Sequence, residues 1–128
     1  MSETPRPTDA ELAILRVLWA HGACTVREVH DVMASSRSVA YTTTLKMLQI
    51  MTEKGLTLRE ERSRQHFYRA RHPEQQMQRR LVRDLLDRAF GGSTAQLVVQ
   101  ALASRRASRE ELDEIRKLLA SRKEKDDE

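Results

Sequence analysis

The sequence predicts a mainly α-helical chain interrupted by one small β-hairpin, and three observations carry the prediction. Helix-start signatures, Ser or Thr followed three residues later by Glu or Gln, recur ahead of apolar stretches at TDAE (8–11), TVRE (25–28), STAQ (93–96) and SREE (108–111). Apolar residues in most of the chain repeat at three- and four-residue spacing, whereas LTLREERSRQHFYRA, residues 56–70, lacks that period. Glycines close the early helical patterns at Gly22 and Gly55.

In each start signature the hydroxyl can accept from a first-turn amide while the Glu or Gln reaches back to the cap residue's own amide. The first helix is expected over Asp9–Ala20, with Leu12, Leu15, Val17, Leu18 and Trp19 supplying buried positions. A short second helix, Val26–Met33, follows, and Ser38 is the expected cap of a third that ends at Lys54-Gly55. Leu56, Leu58, Phe67 and Tyr68 then flank a charged middle, as two short strands joined by an exposed turn around Glu61–Arg64 would. Beyond Pro73, Met77, Leu81, Leu85 and Ala89 run at four-residue steps through a helix over Glu74–Phe90, which Gly91-Gly92 ends. Helices over Thr94–Ser104 and Arg109–Lys123 complete the chain.

Helix, short helix, longer helix and hairpin, in that order, is the layout of a winged helix-turn-helix, whose third helix enters the DNA major groove while the hairpin reaches the backbone. The expected organisation is therefore a winged-helix DNA-binding domain at 8–72 and a C-terminal helical region at 73–122, with disordered tails at 1–7 and 123–128.

Composition narrows the function. The chain of 128 residues has a net charge of +4. Of that charge, +3 falls in residues 1–72, with 11 Lys+Arg against 8 Asp+Glu, and residues 59–71 alone hold five arginines. This is a local basic patch of the kind that meets nucleic acid. Aromatic residues make up 4%, too few for stacking-based recognition of single strands. No apolar run approaches the roughly 18 residues of a membrane span, and no signal segment opens the chain, so a cytoplasmic protein is expected. Charges of both signs interleave over residues 108–125, against a membrane-surface helix. The single cysteine, Cys24, is expected to pack as a small hydrophobe. His21, His30, His66 and His72 show no ligand spacing, and neither a phosphate loop nor a nucleophile triad is visible. No metal, cofactor or enzymatic activity is expected.

The candidate contacts lie in YTTTLKMLQIMTE, residues 41–53. At 100° per residue, Tyr41, Thr44, Met47, Leu48 and Met51 gather on one side as core positions, and Thr42, Thr43, Lys46, Gln49, Ile50 and Glu53 on the other. Threonine is a mediocre helix former, so adjacent threonines on an outward face are better explained by a ligand than by propensity. Their hydroxyls suit phosphates and base edges, their methyls suit thymine, Lys46 can reach phosphate or guanine, and Gln49 can pair with adenine. In the hairpin, Arg59, Arg62, Arg64 and Arg69 stand beside His66, and guanidinium forks match phosphate oxygens. The alternative is a protein-interaction module on the same scaffold, favoured by the modest net charge and the outward Ile50.

The string YTTTLKMLQIMTEKGL, together with TDAELAILRVLW, SRQHFYRA, FGGSTAQLVVQAL and EELDEIRKLL, resembles the penicillinase-repressor family over residues 8 to about 120. The resemblance implies a homodimeric winged-helix repressor on a palindromic operator, with the C-terminal helices of two chains interlocking. It implies that Thr42, Thr43 and Lys46 touch DNA and that Arg64 with Tyr68 repeats a wing pattern of Arg followed by Tyr. Leu81, Leu85, Leu97, Leu102, Ile115 and Leu119 are the implied dimer positions. Members often carry Arg where Ile50 stands and a wing glycine where Ser63 stands. Family members are released by a signal-activated protease in the second C-terminal helix, and the matching bond here is Gln100–Ala101. Copper-responsive relatives carry a cysteine-rich tail, which this chain lacks.

Overall fold

In the computed structural model of the chain, which describes residues 5–126, the elements are α1 (Asp9–His21), α2 (Val26–Ala34), α3 (Tyr41–Lys54), β1 (Thr57–Arg62), β2 (Gln65–Ala70), α4 (Glu74–Ala89), α5 (Thr94–Ser104) and α6 (Arg109–Asp126). The order is that of a winged helix followed by three helices. Of the tails expected to be disordered, residues 1–4 and 127–128 lie outside the described residues. α6 continues to Asp126 instead of stopping at Lys123; Lys123 and Lys125 in its last turn complement the negative end of the helix dipole.

Side-chain caps set the helix starts. Thr8 Oγ1 accepts from the Glu11 amide at 3.2 Å while Glu11 Oε1 accepts from the Thr8 amide at 2.9 Å, and Thr25 with Glu28 repeats both bonds. Ser108 and Glu111 form the same reciprocal pair ahead of α6, and Ser93 accepts from the Gln96 amide ahead of α5. α3 departs from the pattern. Its N-cap is Ala40, with no side-chain cap, not Ser38 as expected. Residues 38–40 are used instead as the connection that carries the chain from α2 into α3, so Ser38 sits too far upstream to reach the first turn.

The hairpin register pairs Thr57 with Ala70, Arg59 with Tyr68 and Arg62 with Gln65. Its turn is the two residues Ser63-Arg64, with φ of 49° and 68°, the type I′ geometry that matches strand twist. A residue with a side chain costs about 1–2 kcal/mol in that left-handed region, so this turn is strained where glycine would not be. Tyr68 also pairs with Cys24 through both backbone bonds, 2.9 and 2.7 Å, which ties the wing to the segment leading into α2.

Ile14, Leu15 and Leu18 of α1, Val29 and Met33 of α2, Leu48 and Met51 of α3, Leu56, Tyr68 and Met77 form one buried cluster with Cys24. Each such side chain contributes roughly 1.5–3 kcal/mol by leaving water. Burial pushes the Cys24 thiol pKa up, and nearby Glu28 adds to the effect, so this is a packing residue as expected. Leu12 and Trp19 pack only partly against the cluster, and the Trp19 indole donates to the His72 carbonyl at 2.9 Å. Lys54 Nζ reaches buried Glu11 Oε1 at 2.6 Å and links the end of α3 to the start of α1.

Contacts divide the chain into two compact units that part within α4, between Arg83 and Asp84. The division falls after the expected boundary at 72/73, since Met77 belongs to the first core and Leu81 packs against it. In the second unit none of the described residues is buried.

Candidate nucleic-acid interface

The helical phase read from sequence holds through the middle of α3. Thr44, Leu48 and Met51 are buried, while Thr42, Thr43, Lys46, Gln49, Ile50 and Glu53 are exposed. From Thr42 to Gln49 the row spans about 10 Å of helix axis, comparable to the width of a DNA major groove. Tyr41 does not follow the phase. It is 37% exposed, because at the first position of α3 it lies beyond the edge of the core.

On the wing, Arg59, Arg62, Arg64, His66 and Arg69 are exposed. Cross-strand partners share a face, so Glu60, Arg62, Phe67 and Arg69 lie together. Glu60 accepts from Arg62 at 3.0 Å and from Arg69 at 2.9 Å, and these bonds, Arg62 first, hold its carboxyl below the usual range. Arg62 also covers the Phe67 ring at 5.4 Å. Arg64 stands at the turn with no ion pair among the described residues. Tyr68 departs from the wing pattern that the resemblance implies. It is 1% exposed and points into the core from the opposite hairpin face, so it supports the wing from below instead of presenting its ring to a ligand.

Sequence reasoning missed a third set of residues. The Arg27 guanidinium lies 4.6 Å from the centroid of the Tyr41 ring, and the His30 ring stands nearly perpendicular to that ring with centroids 5.7 Å apart. An open cleft of about 230 Å³ adjoins them, lined by Thr25, Val26, Arg27, Tyr41, Gln65 and His66. The spacing of Arg27 and His30, one turn apart on α2, was a usable signal; that Tyr41 meets them was not visible without the fold.

In the second unit, Leu97 and Ile115 are half-buried and Leu85, Leu102 and Leu119 are exposed, with Val98, Val99 and Leu118 also open to solvent. Gln100 and Ala101 lie within α5, exposed. Among the described residues no group of three or more His, Cys, Asp or Glu side chains could hold a metal ion, and no helix is long and apolar enough to cross a membrane.

Comparison with known proteins agrees with this arrangement. Residues 7–121 match the model of the penicillinase repressor family. The chain is 31% identical over 121 residues to a transcriptional regulator BlaI of Mycobacterium tuberculosis, covering 94% of this chain and 87% of that protein. It is 24% identical to the penicillinase repressor of Bacillus licheniformis, with 96% of each chain covered. The solution structure of monomeric Bacillus licheniformis BlaI in complex with the blaP half-operator superimposes with a TM-score of 0.51 and 26% identity, over 58% of this chain and 90% of that one. A winged helix with a threonine-faced third helix, matched in sequence along nearly its whole length, identifies the chain as a member of the penicillinase-repressor family of DNA-binding transcriptional regulators.

Proposed function

We propose that the chain is a dimeric transcriptional repressor that binds a palindromic operator, with α3 in the major groove and the 56–70 hairpin on the adjacent backbone. The observation that carries this reading is the exposed row Thr42, Thr43, Lys46 and Gln49 on a helix whose opposite face is buried. Those side chains offer donors and acceptors to base edges, while Arg62 and Arg64 on the wing suit phosphates. The BlaI complex with a half-operator supports the DNA reading from a relative of the same family.

Dimerisation is supported by the second unit. Leu85, Leu97, Leu102, Ile115 and Leu119 are the positions assigned to the interface there, with Leu81 at the end of the first unit, and the exposed Leu85, Leu102 and Leu119 are what a second copy would cover. Two-fold symmetry would then set the recognition helices about 34–36 Å apart on one face of the duplex. Bound in this way the protein would block transcription from the cytoplasmic chromosome. Gln100–Ala101 is the bond at which a signal-activated protease would release it, and because it lies within α5, cleavage requires that helix to unwind first.

The test is a fluorescence-anisotropy titration onto duplex from the protein's own upstream region, against a scrambled duplex, at several salt concentrations. Native duplex bound about a thousandfold tighter, with two chains per site, is the expected result. Equal, salt-sensitive binding to both would leave only the electrostatic component and refute an operator in that region. Exposed Ile50, 40% accessible on the outward face of α3, favours the second reading of a protein-docking module. No tight binding to any duplex, with capture of one partner through α3, would select it.

A further inference from the structure

We propose that Arg27, braced on the ring of Tyr41, is a DNA-phosphate contact at the corner where α2, α3 and the wing meet. The proposal rests on the reading of α3 and the wing as a DNA-binding surface, and adds a third element to it. Three independent features converge on the cleft. Arg27 is exposed, carries no ion pair among the described residues, and is held 4.6 Å from the Tyr41 centroid, so its guanidinium is oriented before any ligand arrives. The neighbouring Glu28 forms no ion pair with Arg27 among the described residues, and its Oε1 accepts from the Thr25 amide at 2.9 Å.

The second feature is the start of α3. Ala40 offers no side-chain acceptor, and although the Thr43 and Thr44 amides turn to the Ala40 carbonyl at 3.1 and 3.2 Å, the Tyr41 and Thr42 amides have no such bond among the described residues. Unfilled first-turn amides favour an anion. Thirdly, Gln65 and His66 of β2 line the same cleft as Arg27 and Tyr41, so residues from three elements border one space. A cation, helix-start amides and a polar wing edge suit the oxygens of a phosphodiester. The contact would fix register on the duplex without reading bases, since every sequence presents the same phosphate.

The experiment uses the full chain in the anisotropy assay, with native and scrambled duplexes across a salt series. Arg27→Gln is expected to flatten the slope of log K against log salt by about one unit per bound chain and to weaken both duplexes by the same factor, on the order of tenfold. Arg27→Lys, which keeps the charge, should restore the slope. Tyr41→Leu should keep the slope yet lose affinity a few-fold, because the arginine stays charged but is no longer braced. An unchanged slope in Arg27→Gln, while wild type binds normally, overturns the phosphate contact and leaves the DNA reading intact. A loss confined to the native duplex overturns it in favour of base readout. Failure of wild type to bind any duplex removes this proposal together with the reading beneath it. A free oxyanion is the other source of the same chemistry, so saturable calorimetric binding of inorganic phosphate that Arg27→Gln abolishes, with duplex binding unaffected, would overturn the duplex as ligand.

Discussion

Lys46 lies one turn beyond Thr42 on the exposed face of α3, and its chemistry admits two kinds of contact that salt can separate. As a phosphate contact, Lys46→Ala should flatten the salt slope by about one unit and weaken all sequences alike; as a guanine contact it should cost about 1–3 kcal/mol of discrimination at one base position. Titration of the variant against point-substituted duplexes decides between them, and no change in either quantity removes Lys46 from the interface. The other informative lysine is structural. Burial alone would raise the Glu11 pKa, but the Lys54 hydrogen bond and the Thr8 backbone amide outweigh it and bring the net value below the ordinary 4.5. Folding therefore favours the ionised carboxylate. The stabilisation is complete above about pH 4.5 and is lost as pH falls through the lower folded value. Lys54→Met should cost about 1–3 kcal/mol near neutrality by leaving that carboxylate without its cation, and the gap to wild type should close in acid, as urea melts at a series of pH values would read. At this scale the sequence was legible in the middle of α3, where Thr44 is buried as the helical phase requires, and less so in α1, where Leu12 and Trp19 are only partly covered. Tyr68 and Tyr41 were misplaced because strand alternation and distance from the core, not type, decide whether a tyrosine is covered.

Elements were more legible than residues, for a physical reason: caps are local chemistry. Thr8, Thr25, Ser93 and Ser108 are all N-caps, because the bonds they form span three residues and need no tertiary partner. The start of α3 lies two residues after the cap expected at Ser38, since the connection from α2 is set by how the two helices pack, and nothing local announces it. The hairpin emerged from its lack of helical period, but its two-residue turn was not visible, because Ser63-Arg64 holds a conformation that Asn-Gly would normally mark. The uncapped start of α3 makes a prediction at this scale. Ala40→Asp supplies the missing acceptor and should raise stability by about 1 kcal/mol in denaturant melts. The same carboxylate would sit beside the first turn that is proposed to meet phosphate, so affinity for the duplex should fall while the fold becomes more stable. An Ala40→Asp protein that gains stability and binds DNA as tightly as wild type would separate the start of α3 from the interface.

The two units of the molecule stand in different relation to water. The first closes a core from α1, α2, α3, the hairpin and the start of α4, whereas the second leaves Leu118 and Leu119 at 58% and 63% exposure. Apolar stripes along α4, α5 and α6 were readable from their spacing, but the sequence does not distinguish an internal core from a shared one, because both use the same periodicity. The absence of buried residues among the described part of the second unit favours the shared one. Under that reading, Leu102→Asp with Leu119→Asp places two desolvated carboxylates in the dimer interface, and each charge buried without a partner is severely unfavourable. Sedimentation should then report a monomer, while the circular dichroism and melting of the winged unit stay close to wild type because no residue of its core has changed. On DNA, the double variant should bind a half-operator duplex as wild type does and lose its advantage on the full palindrome, since the second half-site no longer benefits from linkage to the first. A double variant that remains dimeric would move the interface off these helices, and one that loses half-site binding as well would show that the second unit acts on the winged unit directly.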